Sequence, residues 1–168
     1  MEDLDFRKLK AGQEILFSGT IYTARDQAHK KLIDLIKKNK RLPFQIKDQI
    51  IYYCGPTATP KGKIIGSCGP TTSDRMDEFV KPLLAKGLAA MIGKGGRSKK
   101  VRQLIKKYKA VYFIAPSGCG AFLSKCVFSK KLVAFKKLDA EAIYRLEVKN
   151  FPLIVAIDSK GNSIYKDL

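Results

Sequence analysis

Apolar runs too short for helices, set among stretches of helical periodicity, constrain this chain more than any other feature. IIYYCG (50–55), KIIGSC (63–68) and AVYFIA (110–115) are each bounded by turn-forming residues. Runs this short and this continuously apolar read as strands buried on both faces. RDQAHKKLIDLIKKNK (25–40) has Ala28, Leu32, Leu35 and Ile36 on one helical face and lysines opposite. Further helices are expected over 74–86 and over the basic SKKVRQLIKKYK (98–109). Strands alternating with helices after about residue 60 predict an α/β fold, a layered domain with a partly parallel central sheet.

The two ends are richer in strand signals. QEILFSGTIYTA (13–24) alternates as a strand or hairpin pair, and CVFSKKLVAF (126–135) reads as a further strand. AEAIYRL (140–146) reads as a short helix, as does GAFLSK after PSGCG. FPLIVAID (151–158) and NSIYKD (162–167) read as a hairpin across SKG. These ends predict a second sheet or extra edge strands. With no break in composition and no linker, one domain over 1–168 is expected.

The turns before the helices carry an oddity. In GPTTSDRMDEF (69–79) Arg75 falls in the first turn, where a helix already presents positive charge and favours acidic residues. TARD (23–26) reads as a capping box, with Thr23 as N-cap and Asp26 at the third helical position, and it puts Arg25 in another first turn. GKGGRS (93–98) places Lys94 and Arg97 among glycines before a third helix. An anion bound there reverses the sign, accepting from free backbone N–H groups, threonine hydroxyls and the cations together. In an open α/β sheet such turns meet at the carboxyl ends of the strands. The bland alternative is chance in a lysine-rich chain, with Thr71 or Thr72 acting as a helix cap. No G-x-x-x-x-G-K-[ST] or G-x-G-x-x-G loop is present for a nucleotide.

Charge raises a second function class. Lys+Arg number 33 against 15 Asp+Glu, a surplus that makes nucleic acid a candidate partner. The lysines alternate with apolar residues along ordinary elements, however, and Tyr52, Tyr53, Tyr108 and Tyr112 sit in strand or helix contexts. No apolar run approaches the ~20 residues of a membrane helix, and the charged start lacks a signal-peptide core, so a cytoplasmic chain is expected. Cys54, Cys68, Cys119 and Cys126 lack C-x-x-C spacing, and they read as small buried residues with Cys119 the exception. His29, the single histidine, has no visible catalytic partner and reads as a partly buried structural residue.

GTIYTARDQAHKK, YYCGPT, GSCGPTTSDRMDEF, MIGKGG and FPLIVAIDSKGN together resemble the β subunit of the iron–sulfur hydro-lyases, the class I fumarases and L(+)-tartrate dehydratases. The likeness runs in order from about residue 10 to the C-terminus. It implies a swivelling β/β/α domain, here the separate β subunit of an enzyme whose α subunit holds a 4Fe–4S cluster through its own cysteines. None of the four cysteines of this chain would then ligate it. A heterotetramer of two α and two β subunits is the implied assembly, and the implied substrate is a small dicarboxylate, not nucleic acid or membrane. The implied reaction is fumarate hydration to (S)-malate, or alternatively loss of water from L(+)-tartrate, with the open iron as Lewis acid. Position by position, the resemblance implies Arg25, Thr71, Arg75 and Lys94 as substrate-binding residues, with Thr71 also in proton transfer.

Overall fold

The structure, a computed structural model, describes residues 5–165. Six strands form one sheet: β1 (Glu14–Thr23), β2 (Ile50–Tyr52), β3 (Ala90–Gly93), β4 (Val111–Ile114), β5 (Val127–Ala134) and β6 (Ile143–Ile157). Its order is β1-β2-β3-β4-β6-β5, with β1 also paired to β6. The first four strands are mutually parallel and β6 is antiparallel to β1, β4 and β5. Because β6 pairs with both β1 and β4, five strands close into a ring, and β5 extends from its outside.

Helices α1 (Asp26–Lys37), α2 (Asp77–Ala85) and α3 (Lys99–Tyr108) connect the parallel strands in turn, and the short α4 (Gly120–Lys125) follows β4. The period of two along each strand divides the apolar residues between two cores. Ile50, Tyr52, Ala90, Ile92, Val111 and Phe113 face the ring interior. Ile51, Tyr53, Met91 and Tyr112 face the layer of helices, where they meet Leu32, Val80, Leu83 and Ile105. Both faces of the central strands are therefore covered, which explains their unbroken apolar runs.

Several expectations change. The two strand-rich ends do not build a second sheet, since β1 and β6 pair along almost their whole lengths inside the first one. KIIGSC forms no strand. Ile65 and Cys68 are buried against the ring interior, but the neighbouring backbone bonds outside the sheet, with Thr57 N donating to Ser67 O and Cys68 N to Gly120 O at the start of α4. AEAIYRL is not a helix either. A 3-10 segment over Lys136–Glu141 ends there and β6 begins at Ile143, because Leu146 and Val148 alternate into the ring interior between β1 and β5 while Ile143, paired with Ala134, is buried in the helix-side core. Of the expected terminal hairpin, the bridge Ile157–Ser163 forms, and residues 166–167 lie outside the described residues.

On α1 the buried face is Ala28, His29, Leu32 and Ile33, with Leu35 and Ile36 at its border. His29 is thus fully enclosed rather than beside the apolar stripe. Among the described residues no helix is long and apolar enough to cross a membrane.

Candidate functional site

The parallel strands β1, β2 and β3 all end at one edge of the sheet, and each expected site residue lies in the chain that leaves that edge. β1 delivers Arg25. Thr23 is not the helix cap: its side chain is buried, donating from Oγ1 to Ala142 O (3.3 Å) and accepting from Tyr144 N (3.0 Å). Arg25 itself occupies the cap position with an extended backbone, and Asp26 is the first helical residue. The missing cap comes from far along the chain, where Glu141 Oε2 accepts from Gln27 N at 2.8 Å.

The Arg25 side chain lies directly over Gly55, three residues past the end of β2. A Cβ there would sit 2.8 Å from Arg25 Cδ, 2.9 Å from Nη1 and 3.1 Å from Ala140 O, so the absent side chain of Gly55 makes the seat. Around the guanidinium stand two carboxylates at ion-pair rather than hydrogen-bond range. Nε is 3.8 Å from Asp26 Oδ2, and Nη2 is 3.9 Å from Glu141 Oε1. Arg75 approaches the same Asp26 oxygen, with Nη2 3.5 Å away. Arg25 Nε and Asp26 Oδ2 are both buried without a hydrogen-bond partner. A donor and an acceptor left idle in the same enclosed place are costly unless something else completes them.

β2 delivers Thr71 through the loop 53–73. Thr71 binds Tyr53 O twice, from its backbone N (2.8 Å) and from Oγ1 (2.9 Å), which folds GPTTS back over the end of the strand. Neither Thr71 nor Thr72 caps a helix. Ser73 precedes the 3-10 turn Asp74–Met76 that carries Arg75, and it makes no cap bond with its side chain. Its hydroxyl is engaged elsewhere, accepting from Lys94 N at 3.1 Å.

β3 delivers Lys94. Thr72 and Lys94 form a parallel bridge, and Ser73 N donates to Lys94 O at 3.2 Å. The turn GKGG and the segment GPTTSDR are thus stitched together by backbone. Among the described residues the Lys94 ammonium has no hydrogen-bond or ion-pair partner, so its charge is uncompensated. Arg97, the other cation of that turn, is turned away from the edge. Its side chain is wholly buried, with Nε 2.7 Å from Asp77 Oδ1 and the guanidinium carbon 5.4 Å and 5.0 Å from the Tyr53 and Tyr112 ring centres. Asp77 also accepts from Ser98 N, so this pair locks α2 to the start of α3.

The structure therefore brings Arg25 and Arg75 together across Asp26, and joins Thr71 and Arg75 to Lys94 through the chain. Acidic residues supply part of the compensation that the helix starts require: Asp26 and Glu141 for Arg25, Asp77 for Arg97. Three cations, Arg25, Arg75 and Lys94, face two carboxylates. Glu141 gave no sequence signal, because it lies 114 residues from its cap partner.

His29 lies beneath this edge. Its Nδ1 is 2.9 Å from Arg25 O, which only accepts, so the neutral ring carries its proton on Nδ1. Burial pulls its pKa down to about 4, against the Arg25 hydrogen bond and with the help of the Arg97 charge. Three of the four tyrosines considered for base stacking, Tyr52, Tyr53 and Tyr112, are fully buried and offer no stacking face. Cavities of about 750 Å³ beside Lys40–Ile46 and about 710 Å³ beside the start of α3 are lined by neither Arg25, Thr71, Arg75 nor Lys94.

With this geometry the chain matches the family model described as fumarase C-terminus over residues 2–168. The chain belongs to the fumarase C-terminus family. This fumarase C-terminus chain is 43% identical over 175 residues to a putative L(+)-tartrate dehydratase subunit beta of Methanocaldococcus jannaschii, covering 98% of this chain and 87% of that one. It is 40% identical over 153 residues to the aerobic class I fumarate hydratase of Escherichia coli K12, and 37% identical over 156 residues to fumarate hydratase 2 of Leishmania major. Those matches take in 90% and 92% of this chain but 28% of each hydratase. Fumarase C-terminus domains are thus found both as a named subunit and as about a quarter of a longer enzyme.

An iron–sulfur cluster does not fit the described residues of this chain. Among the described residues no three His, Cys, Asp or Glu side chains are grouped to hold a metal ion. Cys54 and Cys68 are buried, with thiols pushed above the usual range by burial, Cys68 to about 12. Such thiols are poor sources of the thiolate that a cluster requires. Cys119 is exposed and Cys126 half-buried.

Proposed function

We propose that this chain is the dicarboxylate-gripping half of a two-part hydro-lyase, the β subunit of a fumarate hydratase that interconverts fumarate and (S)-malate at a site shared with an α subunit. The observation that carries this reading is the convergence of Arg25 and Arg75 on one carboxylate at the strand ends. A carboxylate is already the group these two side chains collect, from 3.8 Å and 3.5 Å. Guanidinium forks hold carboxylates through two parallel hydrogen bonds, a geometry lysine cannot reproduce. The site lies on an open edge, with Arg75 half exposed, and a second protein surface is needed to exclude water from it.

In this proposal Arg25, Thr71, Arg75 and Lys94 bind the substrate. Arg25 and Arg75 fix its carboxylates, and Lys94 faces the one next to the carbon that loses a proton. Proton removal there builds negative charge on that carboxylate, which a preplaced ammonium stabilises. Thr71 contacts the same carbon. Its hydroxyl proton is donated to Tyr53 O, which cannot accept a proton outright, so the stronger base comes from the α subunit. The 4Fe–4S cluster is held by the α subunit, and no residue of this chain ligates it.

L(+)-tartrate is the second substrate, favoured by the 43% identity to a beta subunit of that name. Mixing the chain with its α subunit under anaerobic conditions, then following fumarate and L(+)-tartrate consumption, tests both. Turnover is expected only in the mixture, and the faster substrate is the assigned one. Turnover by the chain alone, or of neither substrate by the mixture, overturns the reading.

A further inference from the structure

A buried hydroxyl relay underlies the Lys94 turn. Tyr112 lies on β4 with its ring in the helix-side core, fully enclosed, and its hydroxyl is 2.8 Å from Gly95 O and 2.9 Å from Ser73 Oγ. Gly95 O can only accept, so the single Tyr112 proton goes to it, and Ser73 Oγ–H donates to Tyr112 in return. Ser73 Oγ then accepts from Lys94 N at 3.1 Å. The chain of bonds runs Lys94 N–H to Ser73, Ser73 to Tyr112, and Tyr112 to Gly95, closing around the backbone of the turn.

Packing enforces the same arrangement. Ser73 is fully buried and seated against Gly93, where a Cβ would collide with Ser73 Oγ and come within 2.9 Å of the Tyr53 ring. The Arg97 guanidinium covers the Tyr112 ring from 5.0 Å. Burial holds the Tyr112 proton well above the usual phenol range, so the hydroxyl stays a donor at any ordinary pH. Both hydroxyl groups of the relay, on Ser73 and Tyr112, are enclosed and have their partners.

We propose that Tyr112 is a positioning residue, which through Ser73 and Gly95 holds the Lys94 backbone against the Thr71–Arg75 segment without itself touching substrate. Its effect on catalysis rests on the hydro-lyase reading, whereas its effect on the Lys94 backbone does not. Nothing in its strand marks it for this role, since AVYFIA is apolar and reads as core throughout.

Tyr112→Phe removes the hydroxyl alone, and two measurements judge the result. In the 168-residue chain, amide hydrogen exchange at Lys94 is expected to speed by about tenfold or more as its acceptor loosens, while the Ala90–Ile92 amides keep their protection. Ser73→Ala is expected to do the same at Lys94. In the assembled enzyme, Tyr112→Phe should lower kcat/KM by about tenfold, and add nothing in a Lys94→Met background. Unchanged Lys94 protection in both variants, or an equal kcat/KM loss with and without Lys94, overturns the proposal. If the wild-type assembly turns over no dicarboxylate, the hydro-lyase reading fails, and the exchange measurement alone decides the role of Tyr112.

Discussion

Arg75 reaches from the turn before α2 to place Nη2 3.5 Å from Oδ2 of Asp26, the first residue of α1. Two helices that leave different strands are thereby tied through one carboxylate, and Arg25 shares it from 3.8 Å. All three side chains remain partly accessible, at 48% for Arg75 and 26% for both Asp26 and Arg25. A pair this open adds little to stability. On the proposed reading its consequence is for binding: an incoming carboxylate would meet guanidinium groups that are already gathered.

Replacing Arg75 by lysine keeps the charge and removes the fork. If the chain works with an α subunit as proposed, Arg75→Lys in that assembly is expected to lower kcat/KM by at least about a hundredfold. The unfolding free energy should move by no more than about 0.5 kcal/mol, as for other half-exposed sites. Steady-state kinetics with urea unfolding checks both halves, and wild-type rates would remove Arg75 from the site.

Gly55→Ala tests the seat of Arg25 without touching its charge. The new methyl would lie 2.8 Å from Arg25 Cδ and 3.1 Å from Ala140 O, so the guanidinium must swing off its perch. The expected outcome is a KM for the dicarboxylate raised by about tenfold, with Arg25→Ala showing no further change when combined with it. An unaltered KM would mean that the position of Arg25 does not matter to the substrate.

His29 makes stability depend on acidity. Burial pulls its pKa to about 4 in the folded chain, against 6.5 when exposed. Between those values the unfolded chain binds more protons, so the contribution is complete above pH 6.5 and drains away as the pH falls to about 4. One proton over that window amounts to about 3 kcal/mol. Urea midpoints across this range are expected to fall with pH, and His29→Gln should flatten the dependence. A wild-type profile already flat from pH 7 to 4 would contradict the enclosed neutral imidazole.

The four thiols should separate cleanly. Burial pushes Cys68 up to about 12, from an ordinary value of 9.0. It then carries about a thousandfold less thiolate than a free thiol at equal pH. Cys119, exposed at the start of α4, is expected to be alkylated first, with Cys54 and Cys68 protected until the chain unfolds. A mass-spectrometric time course checks this, and equal rates at Cys68 and Cys119 would contradict it.

The sequence was informative where one local property decided the outcome. Short apolar runs at 50–52 and 111–114 became strands buried on both faces, and the lysine-flanked periodic stretches became α1 and α3. KIIGSC misled because its apolarity reports burial, not pairing: Ile65 and Cys68 are in the core while the backbone bonds outside the sheet. AEAIYRL misled because long-range pairing of Ile143 and Leu146 with two other strands outweighed local preference. Thr23 looked like a cap, yet its hydroxyl serves β6 and the cap of α1 arrives with Glu141. At the site the misplaced cations were visible in the sequence. Asp26, which gathers both arginines, stands next to Arg25, whereas Glu141 lies far along the chain and the Tyr112 hydroxyl looks like core, so neither of these was visible.

The central claim is that Arg25, Arg75 and Lys94 grip one dicarboxylate together. Nuclear magnetic resonance of the guanidinium Nε–H and ammonium signals, in this chain assembled with its α subunit and titrated with succinate as an unreactive dicarboxylate, tests it most directly. Shifts at Arg25, Arg75 and Lys94 that follow one shared saturation curve, with acetate far weaker, are the predicted result. Silent arginine signals at saturating succinate, or separate curves for Arg25 and Arg75, would contradict it.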